Sequence, residues 1–430
     1  MRSKSFLFLF LAFFCPFVSL GQNVEIVGKT NVPNALVRLL TYDEMLTCEQ
    51  TKVAETQSDK DGKFTLKAEI KEITPAQIAI NLERVDIILS PNASYNIEIT
   101  VAERQDVSYF EREKPVLGIN SINDDNLFLQ YTDIQSFIDD YLYQNFNSIY
   151  RGKKMYLLDT LDCRIARNFG QIDNKYINDF IKYRKAAVWM AVNPTKTKME
   201  YFDNQEVLYS QAAYMDVLTE LFKSNGGNDD FLSRNWQIGE IVEMMNLRKS
   251  YYSNPNNLSQ ILISLEKFEK SSKSLKNRVV AKNIKKQIKE LSYDSEAPKF
   301  SLKDKNGNTI QLSDYKNDIV VLQFVDNLTP LIEHEFSTLN ELNQQWGDSV
   351  KIITIATKES FETYCQLFEK QRYKWPLLNL YFNILLLEDY HVKTYPAYFI
   401  LRKNGRIGMA PAPSPDHYLD YHVRRISKYL

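Results

Sequence analysis

The alternation of apolar and polar positions changes period twice along this chain. From residue 23 to about 110, short runs such as "VEIVG", "ALVRLL", "GKFTLKA", "QIAINL", "VDIILS" and "SYNIEIT" alternate with period two and are separated by turn residues. That is the pattern of strands with one buried face, and it predicts a small β-sandwich. Asp61-Gly62 within "SDKDGKF" predicts a hairpin turn. The Asp59-x-Asp61-Gly62 pattern also begins like a calcium loop. Its glycine comes too early, however, and its twelfth position is Ile70 rather than glutamate, so the turn is preferred.

From about 122 to 290 the period becomes helical. Ile134, Phe137, Ile138 and Tyr141 fall on one stripe, as do Ile177, Phe180, Ile181 and Val188. Gly226-Gly227 and "SNPNN" (253–257) divide this region into several helices. Aromatic stripes at this spacing read as core. The lysine-rich "KSSKSLKNRVVAKNIKKQIKEL" keeps Val279, Val280, Ile284 and Ile288 to one side, and its lysines read as a solvated helix face.

The last third is α/β. "VVLQF" and "VKIITIA" are buried-strand runs, each followed by a helix-period segment. Ile332, Phe336, Leu339, Leu342 and Trp346 line the first of these helices; Phe361, Tyr364, Cys365 and Phe368 line the second. "AYFILRKNGRI" predicts a strand, a tight turn at Asn404-Gly405 and a returning strand. The fold class expected is multidomain α+β. It comprises a signal peptide over 1–21, a β-sandwich over 22–112, a helical region over 113–292 and a C-terminal α/β domain over 293–430.

Composition narrows the function classes. With 53 basic and 54 acidic residues the chain has a formal net charge of −1, which gives no general field for nucleic acid. Glycine is scarce at 13, which argues against glycine-built phosphate cradles. "MRSK", the apolar "SFLFLFLAFFCPFVSL" and then "GQ" have the order of a secretory signal, with cleavage expected after Gly21. No later segment is apolar for long enough to cross a bilayer. Export to the periplasm or cell envelope is therefore expected. A lipid anchor is not, because Phe13 and Phe14 precede Cys15 where a small residue is needed. Cys48, Cys163 and Cys365 remain, an odd number that leaves at least one thiol unbridged; a Cys48–Cys163 bond stays open.

"SEAPKFSLKDKNGNTIQLSDYKNDIVVLQF" (295–324) resembles the opening "APxFxLxDxxGxxxxLSDxxGKxVVLxF" of the redoxin domains of exported TlpA-type disulfide reductases, a thioredoxin-like group of AhpC/TSA type. "TYPAYFILRKNGRI" (394–407) is similar to the family's cis-proline strand and hairpin, and "APAPSP" (410–415) to an ending found in relatives from the Bacteroidota. The helical segment before 295 and the β-rich N-terminus also resemble what precedes the domain there.

The resemblance implies a thioredoxin-like fold. Aligning "FVDNLTPLIE" (324–333) with the family's "FWATWCGPCR" puts Thr329 and Ile332 at the two cysteines, Pro330 and Leu331 between them, and Leu328 at the tryptophan. The peroxiredoxin "TxxC" pattern would also need a cysteine at 332. Thioredoxin-type reduction requires a thiolate at a helix N-terminus and a second thiol to resolve the mixed disulfide, and both are missing. Thr329 and Pro330 instead suit an N-cap and a first helical position, with Glu333 favourable to the dipole.

What the resemblance leaves is either a peptide groove at Leu328, Tyr395 and Pro396, in which an extended partner would pair as an added strand, or residues that simply cover the core or contact the helical region. The expected function is a redox-inactive, protein-binding or scaffold module with a protein or peptide partner in the envelope. The alternative is a thiol-disulfide oxidoreductase acting through Cys365 or a partner thiol. Catalytic residues, cofactors and metals are expected to be none; His334, His391, His417 and His422 lack ligand spacing.

Overall fold

The architecture is taken from a computed structural model that describes residues 23–102, 114–124, 127–223, 230–253 and 257–428. The proposed signal peptide and the Gly226-Gly227 break lie outside the described residues.

Among the described residues, eight strands build the N-terminal part: β1 (Val24–Thr30), β2 (Leu36–Tyr42), β3 (Gln50–Gln57), β4 (Lys63–Ala68), β5 (Thr74–Ile80), β6 (Glu83–Leu89), β7 (Ser94–Thr100) and β8 (Val116–Asn123). They form two four-stranded sheets, in the orders β4-β1-β7-β8 and β3-β2-β5-β6. Alternate residues of both sheets, among them Ile26, Phe64, Ile97, Leu39, Ile78 and Ile87, meet in one apolar cluster. Gly28 lies opposite Phe64 in the β1–β4 ladder, and a Cβ there would stand 2.2 Å from the Phe64 ring. The ring folds over the strand because residue 28 has no side chain.

Two sequence expectations need correction here. Asp61-Gly62 is a turn, but β3 and β4 belong to different sheets, so it passes the chain between sheets and closes no hairpin. Asp59 Oδ1 accepts from the Asp61 and Lys63 amides at 2.8 Å each, and Gly62 has φ 79°, so the Asx turn itself fixes this crossing. The first sheet also continues past 113 into β8, which pairs antiparallel with β7.

The helical part comprises α1 (Leu127–Gln144), α2 (Tyr156–Phe169), α3 (Lys175–Val192), α4 (Pro194–Thr197), α5 (Ala212–Phe222), α6 (Asp230–Arg234), α7 (Trp236–Ser253), α8 (Leu258–Ser271) and α9 (Leu275–Lys289). Ile134, Ile138, Ile177, Phe180, Ile181 and Ile284 all enter one core, as their spacing requires. On α9 the solvated lysine face is only one side of the helix. Its other side buries Asn277 and Asn283 with Val280, Ile284 and Ile288. Asn283 donates to Glu44 at 3.0 Å, and Gln287 donates to the Thr47 carbonyl at 3.0 Å, so α9 docks on the loop after β2.

The C-terminal part has a seven-stranded sheet in the order β10-β9-β13-β12-β11-β14-β15. Its strands are β9 (Ser301–Asp304), β10 (Thr309–Gln311), β11 (Ile319–Val325), β12 (Val350–Ala356), β13 (Leu377–Asn379), β14 (Ala397–Arg402) and β15 (Arg406–Ala412). β11, β12 and β13 are mutually parallel, while β14 runs antiparallel to β11. The helices are α10 (Pro330–Trp346), α11 (Phe361–Gln371), α12 (Leu386–Asp389) and α13 (Leu419–Lys428). Every residue of β11 is buried, because α10, α11 and α13 cover one face and α12 with neighbouring loops the other.

The three parts meet at α12. Glu388 receives Arg38 Nη1 at 2.8 Å, Arg38 Nη2 at 2.9 Å and Arg84 Nη2 at 2.9 Å, both arginines coming from the second N-terminal sheet. Leu82, in the β5–β6 turn, packs on the C-terminal core. His391 Nε2 lies 3.4 Å from Glu290 at the end of α9. Cys48, Cys163 and Cys365 are all free thiols, so the open question of a Cys48–Cys163 bond is answered against a bridge.

Candidate functional site

β11 ends at Val325, and its continuation builds the corner singled out from the sequence. Thr329 has extended backbone (φ −116°, ψ 162°) and caps α10. Its Oγ1 accepts from the Ile332 amide at 3.4 Å, its carbonyl accepts from the Glu333 amide at 2.9 Å, and Pro330 takes the first helical turn. The four corner residues then diverge. Ile332 turns inward and is 4% exposed within the core, whereas Leu331 is 63% exposed. Leu328 is half-buried against the α10 side of the sheet.

Tyr395-Pro396 is a cis peptide. It immediately precedes β14, whose Ala397 is registered opposite Phe324. The antiparallel pairing therefore brings Pro396 to the end of the sheet where Asp326–Pro330 leaves it. Tyr395 is half-buried against the opposite core layer. The sequence-predicted residues Leu328, Thr329, Pro330, Leu331, Tyr395 and Pro396 thus share one edge, and Ile332 belongs to the core beneath it.

Two polar groupings near this edge were not singled out from the sequence. In the first, Thr357, just past β12, donates to Asp326 Oδ1 at 2.5 Å and lies 2.7 Å from Ser360 Oγ. All three are buried, and the Thr357 amide donates to the Val325 carbonyl at 3.1 Å. These bonds fasten the loop after β12 to the corner. Tyr381, beyond β13 on the same edge, is 57% exposed, with Lys358 Nζ 4.5 Å from its ring centre.

The second grouping is a chain of hydrogen bonds through the core. Trp375 Nε1 donates to Thr354 Oγ1 at 3.0 Å, which donates to Gln323 Oε1 at 3.0 Å. Gln323 Nε2 donates to Tyr398 Oη at 2.9 Å, and Tyr398 donates to Glu335 Oε2 at 2.9 Å. Burial pushes the Glu335 carboxyl above its ordinary range despite the Tyr398 bond, and Asp416 adds to the rise. Burial, with Glu335 beside it, raises Tyr398 strongly. A sequence signal existed: Gln323 and Thr354 are the polar interruptions in "VVLQFV" and "VKIITIA", where a fully buried strand needs partners for them.

A carboxyl held above its unfolded value stabilises the fold when protonated, and that contribution fades as pH rises through its folded value. Glu335→Gln keeps an acceptor for Tyr398 and carries no charge. It is therefore expected to gain stability relative to the parent as pH rises from about 4 to about 7. Urea midpoints of the pair across that range check this; parallel curves would contradict it.

Thr329 Oγ1 is engaged in the cap, and His334 is exposed with Nε2 3.7 Å from Asp416 Oδ2. Cys365, the only cysteine of the C-terminal part, is 7% exposed against Tyr364 and Phe368, and burial pushes its thiol up, with Glu362 adding to this. Among the described residues no three His, Cys, Asp or Glu side chains converge as a metal site, and no helix is long and apolar enough to cross a membrane.

With this geometry in view, comparison with known proteins is informative for the C-terminal part. Residues 294–410 match the AhpC/TSA family, about a quarter of the chain. The sheet order and cis-proline edge described above are those of a thioredoxin-like fold. Solved structures similar to this part include the thioredoxin domain of a thiol-disulfide oxidoreductase from Bacteroides vulgatus, at 20% identity over 31% of this chain and 98% of that one, with a TM-score of 0.29. A thiol:disulfide interchange protein from a Bacteroides species is 21% identical over 32% of this chain and 92% of its own, with a TM-score of 0.29. The exposed lipoprotein thioredoxin of Streptococcus pneumoniae is 23% identical over 31% and 100%, with a TM-score of 0.26. The comparison with curated proteins returned no match.

Proposed function

We propose that this chain is a redox-inactive member of the thioredoxin-like group, exported to the cell envelope, where it binds an extended segment of a protein partner. In this reading residues 1–21 are a signal peptide, the two N-terminal sheets form a β-sandwich, and the helical part links that sandwich to the binding domain. The observation that carries the reading is the division of labour at the α10 corner. Thr329 and Ile332 stand where a reactive cysteine pair would stand. One is spent on capping the helix and the other on the core.

Binding remains feasible because the edge keeps its other parts. Leu331 is exposed, Leu328 is half-buried, and the cis Tyr395-Pro396 peptide offers backbone beside them. An extended segment can pair with that backbone while its side chains meet Leu328 and Leu331. The alternative, catalysis through Cys365, is disfavoured by burial and a raised thiol pKa, since only the thiolate attacks a disulfide.

Disulfide-reductase turnover with a small-molecule reductant tests the redox half of the proposal. The parent protein is expected to stay at background, and Thr329→Cys/Ile332→Cys to gain turnover. A parent that turns over, and loses that activity on Cys365→Ser, would overturn the proposal.

A further inference from the structure

The helical part carries a surface of different character from the thioredoxin-like edge, at the tip joining α1 to α2. Between Tyr141 and Leu158 the chain has Arg151, Lys153 and Lys154 and no Asp or Glu. This local excess stands out in a chain whose net charge is only −1. The same stretch holds five aromatic residues: Tyr141, Tyr143, Phe146, Tyr150 and Tyr156. Tyr143 is 85% exposed, Tyr156 61% and Phe146 50%, and all three cations are exposed.

The tip has a defined conformation. The right-handed helical backbone continues from α1 through Phe146 into a wider turn over Asn147–Arg151. Tyr143, Phe146 and Tyr150 therefore follow one another along one helical side, and the Phe146 and Tyr150 rings lie 4.8 Å apart. The Lys154 amide donates to the Ser148 carbonyl at 3.0 Å, and Tyr141 Oη donates to the Leu157 carbonyl at 2.8 Å. These bonds hold the cationic turn against the aromatic end of α1. Ile149, Leu158 and Val188 form a small core beneath, with Tyr150, Met155 and Trp189 packed on it.

Local stability does not account for the outward residues. Lys153 and Lys154 come just before α2, where the helix dipole disfavours cations. Lys153 also has a left-handed backbone, φ 52°. Exposed aromatic side chains add nothing to the core. The nearest carboxylates, Asp139, Asp140 and Asp159, stand on the helices at the two ends of the tip, and the turn between them carries only cations. Aromatic rings beside such a turn suit the boundary between anionic headgroups and acyl chains: the rings enter the interface and the ammonium and guanidinium groups meet phosphate.

We infer that the α1–α2 tip is a contact surface for an anionic lipid membrane. The aromatic side chains supply the apolar contact and Arg151, Lys153 and Lys154 the charge. This is independent of partner binding at the cis-proline edge, because the two surfaces lie on different domains.

The test is co-sedimentation with vesicles of phosphatidylcholine alone or mixed with phosphatidylglycerol. The chain is used without residues 1–21, so that the apolar leader contributes no lipid affinity. Binding is expected only with the mixed vesicles and is expected to weaken with salt. Neutralising the cations should weaken it about 5-fold each, and Arg151→Gln/Lys153→Gln/Lys154→Gln on the order of 100-fold. Tyr143→Ser/Phe146→Ser should weaken what remains at high salt. Thermal melting of each variant verifies that the fold is kept, as expected for exposed positions.

Equal binding to both vesicle types, or a triple variant that binds like the parent, would overturn the inference. So would a parent that ignores vesicles but self-associates through Tyr143 and Phe146, which would make the tip an interface between copies.

Discussion

Replacing Glu388 by alanine is expected to lower the free energy of unfolding by about 3–5 kcal/mol, the usual cost of removing one partner from a buried ion pair. Arg38 keeps only 5% of its side chain exposed and Glu388 27%, so neither charge of the pair is well hydrated. Without the carboxylate, Arg38 and Arg84 face each other at the boundary between domains. The check is a lower urea midpoint for the transition in which the domains separate. Arg38→Met/Glu388→Leu, which removes the pair and keeps apolar volume, should recover most of the loss. A single variant that unfolds like the parent would show that apolar contacts such as Leu82 suffice to hold the junction.

The same pair predicts acid sensitivity. Burial tends to raise the Glu388 carboxyl, but hydrogen bonds and charge from Arg38 and Arg84 outweigh it and hold it below the ordinary range of a glutamate. A depressed carboxylate contributes stability above its unfolded value, and loses that contribution as pH falls through its folded one. The acid-induced loss should therefore be smaller in the Arg38→Met/Glu388→Leu variant.

The second large effect is expected five residues apart on one helix. Phe336→Ala should cost about 3–5 kcal/mol, as for large-to-small changes in a packed core. Phe336 is fully buried, with ring centres of Tyr364, Phe368, Tyr373 and Trp375 at 5.6, 5.7, 5.9 and 6.3 Å. Leu331→Ala on the exposed side of the first turn should change stability by no more than about 0.5 kcal/mol. If Leu331→Ala also costs several kcal/mol, Leu331 covers the core, and the groove reading of the edge loses its main residue. Chemical unfolding of the two variants beside the parent decides between these outcomes.

Local patterns could be read from the sequence wherever the cause was local. Thr329-Pro330 reads as a helix start because the cap is made within four residues. Val280, Ile284 and Ile288 read as one apolar side because helical spacing places them there. That residues 329 and 332 are threonine and isoleucine is itself a statement about sequence, as is the cationic stretch from Arg151 to Lys154.

Pairing over distance was not legible. Asp61-Gly62 marked a turn, but whether β3 and β4 pair depends on which sheet each joins. That is fixed by β1 and β2 lying between other strands. Glu388 became a clamp only when α12 was placed against β2 and β6, some 300 residues earlier in the chain. Asn283 and Glu44 met for the same reason. Burial patterns and caps are determined by the few residues around them, so the sequence settled them. Charge pairs, buried networks and domain contacts depend on surfaces that exist only after packing, and the tertiary structure alone decided those.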